Sequence, residues 1–253
     1  MYFNQAVCDV YIGTGAGKKL MQEIGNAKRS VKIVSPFLSP VLVRKLIDLH
    51  YKNIEVQLIT VDTIEDFYGD RQKNIHQLIF QDRTIDKQAE TQRSKWRKRK
   101  QFLFIILVIL ILTLIATAIL IQERMVLWGF MSLLPVWFLI RNYSSKIRSA
   151  KIYHYSYSQL FPFKVFTTPE SNSYSHPFIH SKIYLIDDEI AYLGSLNFTH
   201  NGTRNNYETR IRIADRKAIK ELNAEFDALF YNESYLEKEL SEWGRELYVE
   251  PVN

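Results

Sequence analysis

Phe102 to Ile121 is an unbroken run of twenty residues without a charge, FLFIILVILILTLIATAILI, set in the middle of a 253-residue chain. At ~1.5 Å per residue, a helix of that length spans the ~30 Å hydrocarbon core of a bilayer. Isoleucine and leucine fall all round the helix, so no polar face remains for solvent. A short polar break, Gln122-Glu123-Arg124, leads into a second apolar stretch, MVLWGFMSLLPVWFLI, at 125–140. This stretch is short for a full span and contains Pro135. It either crosses with little tilt, thins the bilayer or is partly re-entrant. Trp128 and Trp137 suit the two membrane interfaces. The expectation is a two-helix transmembrane hairpin with spans at about 102–121 and 125–140.

Charge orients the hairpin. The formal net charge of +6 is concentrated beside it: segments 86–100 and 141–151 hold eleven Lys/Arg and two Asp/Glu. That leaves 22 basic against 25 acidic residues elsewhere, so the general basic character expected of a nucleic-acid-binding domain is absent. The run Arg93 to Lys100 precedes the first span. Arg141, Lys146, Arg148 and Lys151 follow the second, and the connecting turn is neutral. Both flanks are therefore expected on the cytoplasmic side of the cell (inner) membrane, with the bilayer as a partner. The N-terminal MYFNQAVCDV has no basic region followed by a long apolar run, so no signal peptide is expected. The one cysteine, Cys8, excludes an intramolecular disulfide and suits a reducing compartment.

The rest of the chain alternates strand and helix. Val7–Ile12 reads as a strand, 15–28 as a helix, and Val31–Val34 as a strand ending in Ser35-Pro36. Residues 39–50 place Leu42, Leu46 and Leu49 on one helical face. Ile54, Val56 and Leu58 alternate as in a strand, and 63–100 read as mostly helical. Beyond the hairpin, Lys164–Phe166 is a strand and Thr168–Pro177 a polar loop carrying His176. His180–Ile186 and Ile190–Leu193 form a β-hairpin about Asp187-Asp188-Glu189, and Tyr207–Ile213 is a further strand. A helix over 215–230 has Asp215 as N-cap and turns Ile219, Leu222, Phe226 and Leu229 to a core. A short acidic helix closes the chain at about 233–247. The pattern predicts an α/β sandwich, a mixed sheet flanked by helices, with the hairpin inserted between its halves. The boundaries are 1–85 for the first half, 86–150 for the basic segments and hairpin, 151–232 for the second half and 233–253 for an acidic tail.

Ile12-Gly13-Thr14-Gly15-Ala16-Gly17-Lys18 looks like a phosphate loop but meets neither pattern. Ile12 stands where the first glycine of a P-loop is required, and Lys18 where a dinucleotide fingerprint needs its last glycine. It reads as a flexible approach to a helix.

Chemistry is concentrated in HSKIYLIDDEIAYLGSLNFTHNGTRNNYE, from His180 to Glu208. On a strand, His180 and Lys182 share a face, roughly 7 Å apart, close enough to approach two sides of one phosphate. A neutral imidazole attacks phosphorus and forms a covalent intermediate. Lys182 neutralises the non-bridging oxygens. Ser195 and Asn197, beyond a tight turn at Gly194, supply neutral donors to the same oxygens. Glu208 fixes the tautomer of the histidine. Asp187 has the opposite strand parity and fits a supporting role in the turn.

These residues resemble the phospholipase D superfamily. HSKIYLID matches its His-x-Lys-x4-Asp motif, GSLN its Gly-Ser-x-Asn, and Asn206-Tyr207-Glu208 its glutamate-bearing strand. Val34-Ser35-Pro36-Phe37 resembles a strand-end motif of the N-terminal half. The resemblance covers about 7–85 and 151–232 and leaves the hairpin out. It implies catalytic roles for His180, Lys182, Asn197, Glu208 and Asp187, phosphate binding by Lys182, Ser195 and Asn197, and no metal or other cofactor. Members join two such motifs face to face: one histidine is phosphorylated and the other protonates the leaving group. The full motif occurs once here, so a homodimer with a composite site is expected.

The substrate is a phosphodiester of one of two classes. One motif per compact chain resembles the small dimeric nucleases of the superfamily, which puts a membrane-anchored nuclease first. Arg204, Arg210 and Arg212 are expected to supply a local basic rim. The alternative is a phospholipase or phosphatidyltransferase acting on the bilayer, as in the membrane-bound cardiolipin synthases. A catalytically inactive membrane scaffold is the third reading.

Overall fold

Val31, Ile33 and Val34, together with Val56, Leu58, Ile59 and Val61, are buried on both faces of a sheet, and they supply its centre. The computed structural model describes residues 6–62, 74–121, 124–167, 179–232 and 237–251. In chain order the strands are β1 (Cys8–Thr14), β2 (Ser30–Val34), β3 (Glu55–Val61), β4 (Ile79–Ile85), β5 (Tyr153–Gln159), β6 (Phe163–Phe166), β7 (Ile183–Ile186), β8 (Ile190–Gly194) and β9 (Tyr207–Ile213). The helices are α1 (Gly17–Gly25), α2 (Pro40–Tyr51), α3 (Lys87–Ile121), α4 (Leu133–Ser149), α5 (His200–Arg204), α6 (Arg216–Phe230) and α7 (Leu240–Leu247).

The chain divides into two compact units. The first, residues 1–81 and 157–248, is a seven-stranded mixed sheet in the order β1-β9-β8-β7-β2-β3-β6. β2, β3 and β6 run parallel, and the other neighbours pair antiparallel. One face is covered by α6, whose Ala218, Ile219, Leu222, Phe226 and Phe230 pack on Val34, Ile59, Leu185 and Ala191. Asp215 caps α6, its carboxylate accepting from Ala218 N at 2.9 Å, which contributes about 1 kcal/mol. The other face holds Val31, Ile33, Val56 and Leu58 against Leu20 and Ile24 of α1, Leu42, Leu46 and Leu49 of α2, and Trp243 of α7. The expected mixed sheet flanked by helices is the fold observed.

The second unit, residues 82–156 with 249–253, contains α3, a 3-10 segment at Arg124–Ser132, and α4, which packs against α3. Gly129 sits so close to α3 that a Cβ there would lie 2.7 Å from Leu114 Cδ2. β4 and β5 pair as a two-stranded ribbon, through which the chain passes between the units.

Three local expectations are corrected. Residues 79–85 form β4 rather than helix, because the ladder is completed by β5, some seventy residues on, a partner that local periodicity does not reveal. The second apolar stretch is not one continuous helix: 124–132 is 3-10 and α4 begins at Leu133, two residues before Pro135. One helix, α3, is long and apolar enough to cross a membrane; its best window has a mean hydropathy of 3.3 and no buried residue. Finally, β7 begins at Ile183, so His180 and Lys182 precede the strand. The loop Thr168–Pro177 with His176, and residues 63–73, lie outside the described residues.

Candidate active site

The sheet register brings the motif together. Val34 pairs with Ile183, Ile183 with Leu193, and Gly194 with Arg210. The end of β2, the approach to β7, the exit from β8 and the start of β9 therefore lie at one end of the sheet. Beyond Val34 the ladder to β7 stops, while the last rungs to the other neighbours remain, Ser35 N to Ile59 O at 3.0 Å and Ser195 N to Thr209 O at 3.1 Å. His180-Ser181-Lys182 is thus left without ladder partners and is not strand. Gly194 makes the turn possible: its φ is +154°, and an added Cβ would run into the Thr209 carbonyl.

Lys182 is buried, 6% exposed, and its Nζ donates to His180 O at 2.7 Å. The same nitrogen lies 3.0 Å from Nδ1 and 3.2 Å from Nε2 of the His180 ring. Burial pulls the Lys182 ammonium below the ordinary lysine range, and the nearby Glu208 charge acts in the opposite direction. His180 itself is exposed.

Glu208 is also buried, at 8% exposure. The Ser195 hydroxyl donates to its Oε2 and Asn206 Nδ2 donates to its Oε1 at 3.2 Å. Thr209 N donates in turn to Ser195 Oγ at 3.0 Å. A hydroxyl has one proton, and that of Ser195 is committed to the carboxylate rather than held for a phosphate oxygen. Asn206 was not among the expected site residues, although it stands two positions before Glu208 in the same matched segment.

Ser35 and Tyr184 support the site from below. Ser35 Oγ accepts from Phe198 N at 2.9 Å and donates to Phe37 O at 2.8 Å, tying the end of β2 to the segment after Asn197. The Tyr184 hydroxyl donates to Leu196 O at 2.7 Å, and burial pushes its pKa far up, so it stays a donor. Asn197 lines a cavity of about 550 Å³ together with Phe37, Pro40, Val41 and His200. Its Oδ1 is buried without a hydrogen-bond partner among the described residues.

Asp187 lies at the other end of β7 from His180 and Lys182. Its carboxylate accepts from the backbone N–H of Lys28, Arg29 and Ser30 at 2.7 to 3.0 Å, with φ +55° in the turn. Burial alone would raise its pKa, but these N–H groups and the Arg29 guanidinium outweigh it and hold the carboxyl below the usual range. Asp187 therefore anchors the β7–β8 turn to the start of β2 and is placed apart from the residues it was grouped with as catalytic.

The expected basic rim is also corrected. Arg210 is buried, donating to Ala16 O at 2.8 Å, with its guanidinium over the rings of Tyr11 and Tyr192. Arg212 pairs with Glu23 at 3.1 Å. Both alternate positions of β9 are consumed by the fold, and Arg204 alone of the three is exposed. His50-Tyr51-Lys52 repeats the His-x-Lys spacing, but Gln57 stands where the aspartate is required. It also lies at the C-terminal end of α2, before β3, at the opposite end of the sheet. Among the described residues no group of three or more His, Cys, Asp or Glu side chains forms a metal site.

A family profile described as "Cardiolipin synthase, PLD-like domain" matches residues 20–230. The chain belongs to this phospholipase D-like family. Cardiolipin synthase 1 from Staphylococcus epidermidis is 37% identical over 68 residues, which is 27% of this chain and 14% of that protein. A second strain's cardiolipin synthase 1 is 40% identical over 55 residues, 22% of this chain and 11% of the relative. The matched stretches therefore span only a small part of those relatives. Among solved structures, NucT from Helicobacter pylori aligns over 92% of this chain and 100% of its own, with 16% identity and a TM-score of 0.47. Nuc from Salmonella typhimurium, a phospholipase D family member, covers 92% and 99% with 13% identity and a TM-score of 0.45. Within this phospholipase D-like chain, the motif residues fall at one end of the sheet, with Asp187 as the exception.

Proposed function

We propose that the chain is a membrane-anchored phosphodiesterase that works through a covalent phosphohistidine on His180. The observation that carries this reading is the buried Lys182 ammonium held against the imidazole of an exposed His180. Neutral His180 attacks phosphorus, the P–O bond to the leaving group breaks, and the leaving oxygen takes a proton from His180 of a second copy. Water then attacks the phosphohistidine, loses its proton to the second histidine and returns both to their starting states. Lys182 balances charge on the non-bridging oxygens, and the Asn197 amide donates to the same oxygens. Ser195 and Asn206 orient Glu208, which sets the histidine tautomer.

A homodimer supplies the two histidines, since the full motif occurs once per chain. α3 and the α4 segment anchor it as two spans, with both termini and the site on the cytoplasmic side. The proposed substrate is nucleic acid. One motif per chain supports this, as do exposed Arg204 for phosphate and exposed Tyr207, next to Glu208, for base stacking. A phospholipid is the second reading, favoured by the mainly apolar wall of Phe37, Pro40 and Val41 beside Asn197. The matches to cardiolipin synthases also favour it.

The test is to purify the chain in detergent, add a chelator, and offer single-stranded DNA, duplex DNA, RNA and labelled phospholipids, with His180→Ala as control. Nucleic-acid cleavage lost in the variant supports the first reading and headgroup release the second. No turnover of any substrate would leave a non-catalytic scaffold. Mass photometry of the active species tests the dimer, and an active monomer would contradict it.

A further inference from the structure

We propose that the turn Arg97-Lys98-Arg99-Lys100, with Arg141 on α4, is a binding ring for anionic lipid headgroups. The inference rests on the membrane-anchor reading and is independent of the substrate.

α3 is one continuous helix from Lys87 to Ile121, so its charged and apolar parts share an axis. Four consecutive residues make just over one helical turn, and here all four are cations. They therefore girdle the helix. Arg93 and Lys95 stand one turn earlier at i+3 and i+4 spacing from them, so the basic character thickens toward the apolar run and closes into a full ring only at its edge. Arg97, Lys98 and Arg99 are exposed, whereas Trp96 and Lys100 are half-buried in a helix that packs against α4. Charge thus faces outward wherever α3 is not covered.

The ring stands one residue before the apolar run, with only Gln101 between Lys100 and Phe102. α4 runs back along α3 and supplies a matching level: its apolar stretch ends at Ile140, and the Arg141 guanidinium lies 5.5 Å over the Trp137 ring. Tryptophan with an adjacent cation is the side-chain chemistry of the membrane interface. Both helices change from apolar to basic together, and no acidic residue falls within 91–121 or 133–151. A planar layer of phosphate groups at that level meets cations from every open side.

The test uses the full chain in nanodiscs of phosphatidylcholine with a minority of phosphatidylglycerol. The fraction of each spin-labelled lipid motionally restricted at the protein is read by electron paramagnetic resonance. Wild-type protein should select phosphatidylglycerol over phosphatidylcholine. The variant R97Q/K98Q/R99Q/K100Q should lose most of that preference at low ionic strength. The swap R97K/K98R/R99K/K100R should keep it, and added salt should weaken it. Cleavage of a soluble phosphodiester in detergent should be unchanged in both variants. Equal restriction of the two lipids by wild type would overturn the proposal, as would undiminished selectivity in the glutamine variant. Loss of nucleic-acid retention with intact lipid selectivity would overturn it in favour of a nucleic-acid contact. Failure to enter nanodiscs of either composition would overturn the anchor as well.

Discussion

Lys182 Nζ donates to the His180 carbonyl at 2.7 Å and lies 3.0 Å from Nδ1 of the same residue's imidazole. The ammonium therefore stands beside the ring that attacks phosphorus in the proposed mechanism, where it can meet the non-bridging oxygens of the same phosphate.

Lys182→Met should lower kcat by about 10²–10³-fold, the usual loss when one charge-stabilising donor is removed. Its folded pKa is lowered from 10.5, so Lys182 loses its proton at lower pH in the folded chain than in the unfolded one. Two consequences follow from that sign. The alkaline limb of kcat/KM should fall below 10.5 and should move upward in Lys182→Arg. Stability should rise with pH between the lowered value and 10.5, where the unfolded chain holds more protons. A pH–rate profile with a parallel denaturation series checks both. A limb unmoved by the arginine variant would remove Lys182 from the account.

Ser195→Ala and Glu208→Gln should each reduce activity, and the double variant should lose much less than the product of the two. The single proton of Ser195 is spent on Glu208, so the pair acts as one unit. A double-mutant cycle on kcat/KM reads the coupling directly. Additive losses would mean that Ser195 serves the substrate instead.

Asp187→Asn should cost about 1–3 kcal/mol of stability, because the three N–H groups of 28–30 lose a charged acceptor. The folded pKa of Asp187 is depressed, so its contribution is present above the ordinary Asp value near ~3.9 and is lost as pH falls through the lower folded value. Urea titrations at neutral and acidic pH should show the wild-type advantage shrinking on acidification. Correctly folded Asp187→Asn should retain most of its kcat, in contrast to the Lys182 variants.

Gly194→Ala should destabilise by roughly 2 kcal/mol or more, since φ +154° and the Thr209 carbonyl both reject a Cβ. Thermal unfolding measures it. Gly25→Ala, with nothing within 4 Å of the added Cβ, is the matched control and should be nearly neutral or stabilising.

What the sequence made legible was whatever rests on local pattern. The apolar Val31, Ile33 and Val34 of β2, the alternation of Val56 and Leu58 in β3, the leucine face of α2 and the Asp215 cap are visible in short windows and appear as read. The linked motifs from His180 to Glu208 identified the family because their spacing matches three adjacent strand ends. What stayed hidden depends on distant partners. β4 needs β5 to be a strand, and the approach to β7 fails to be one because β2 ends at Val34 and Gly194 turns β8 away. Arg210 and Arg212 read as a basic rim because alternation gives their position on the strand. Alternation does not reveal that Ala16, Tyr11, Tyr192 and Glu23 would be waiting for them. Asn206, matched within the motif, carried no expected role for the same reason, since its bond to Glu208 exists only once β9 has started beside Ser195.

The central claim is a covalent phosphohistidine on His180, and acid-free quenching of turnover followed by peptide mass spectrometry tests it most directly. The account predicts a substrate-derived phosphoryl adduct on the His180 peptide during turnover, absent in His180→Ala, which should also lose cleavage. Turnover that survives His180→Ala, with no adduct on His180 in the wild type, would contradict it.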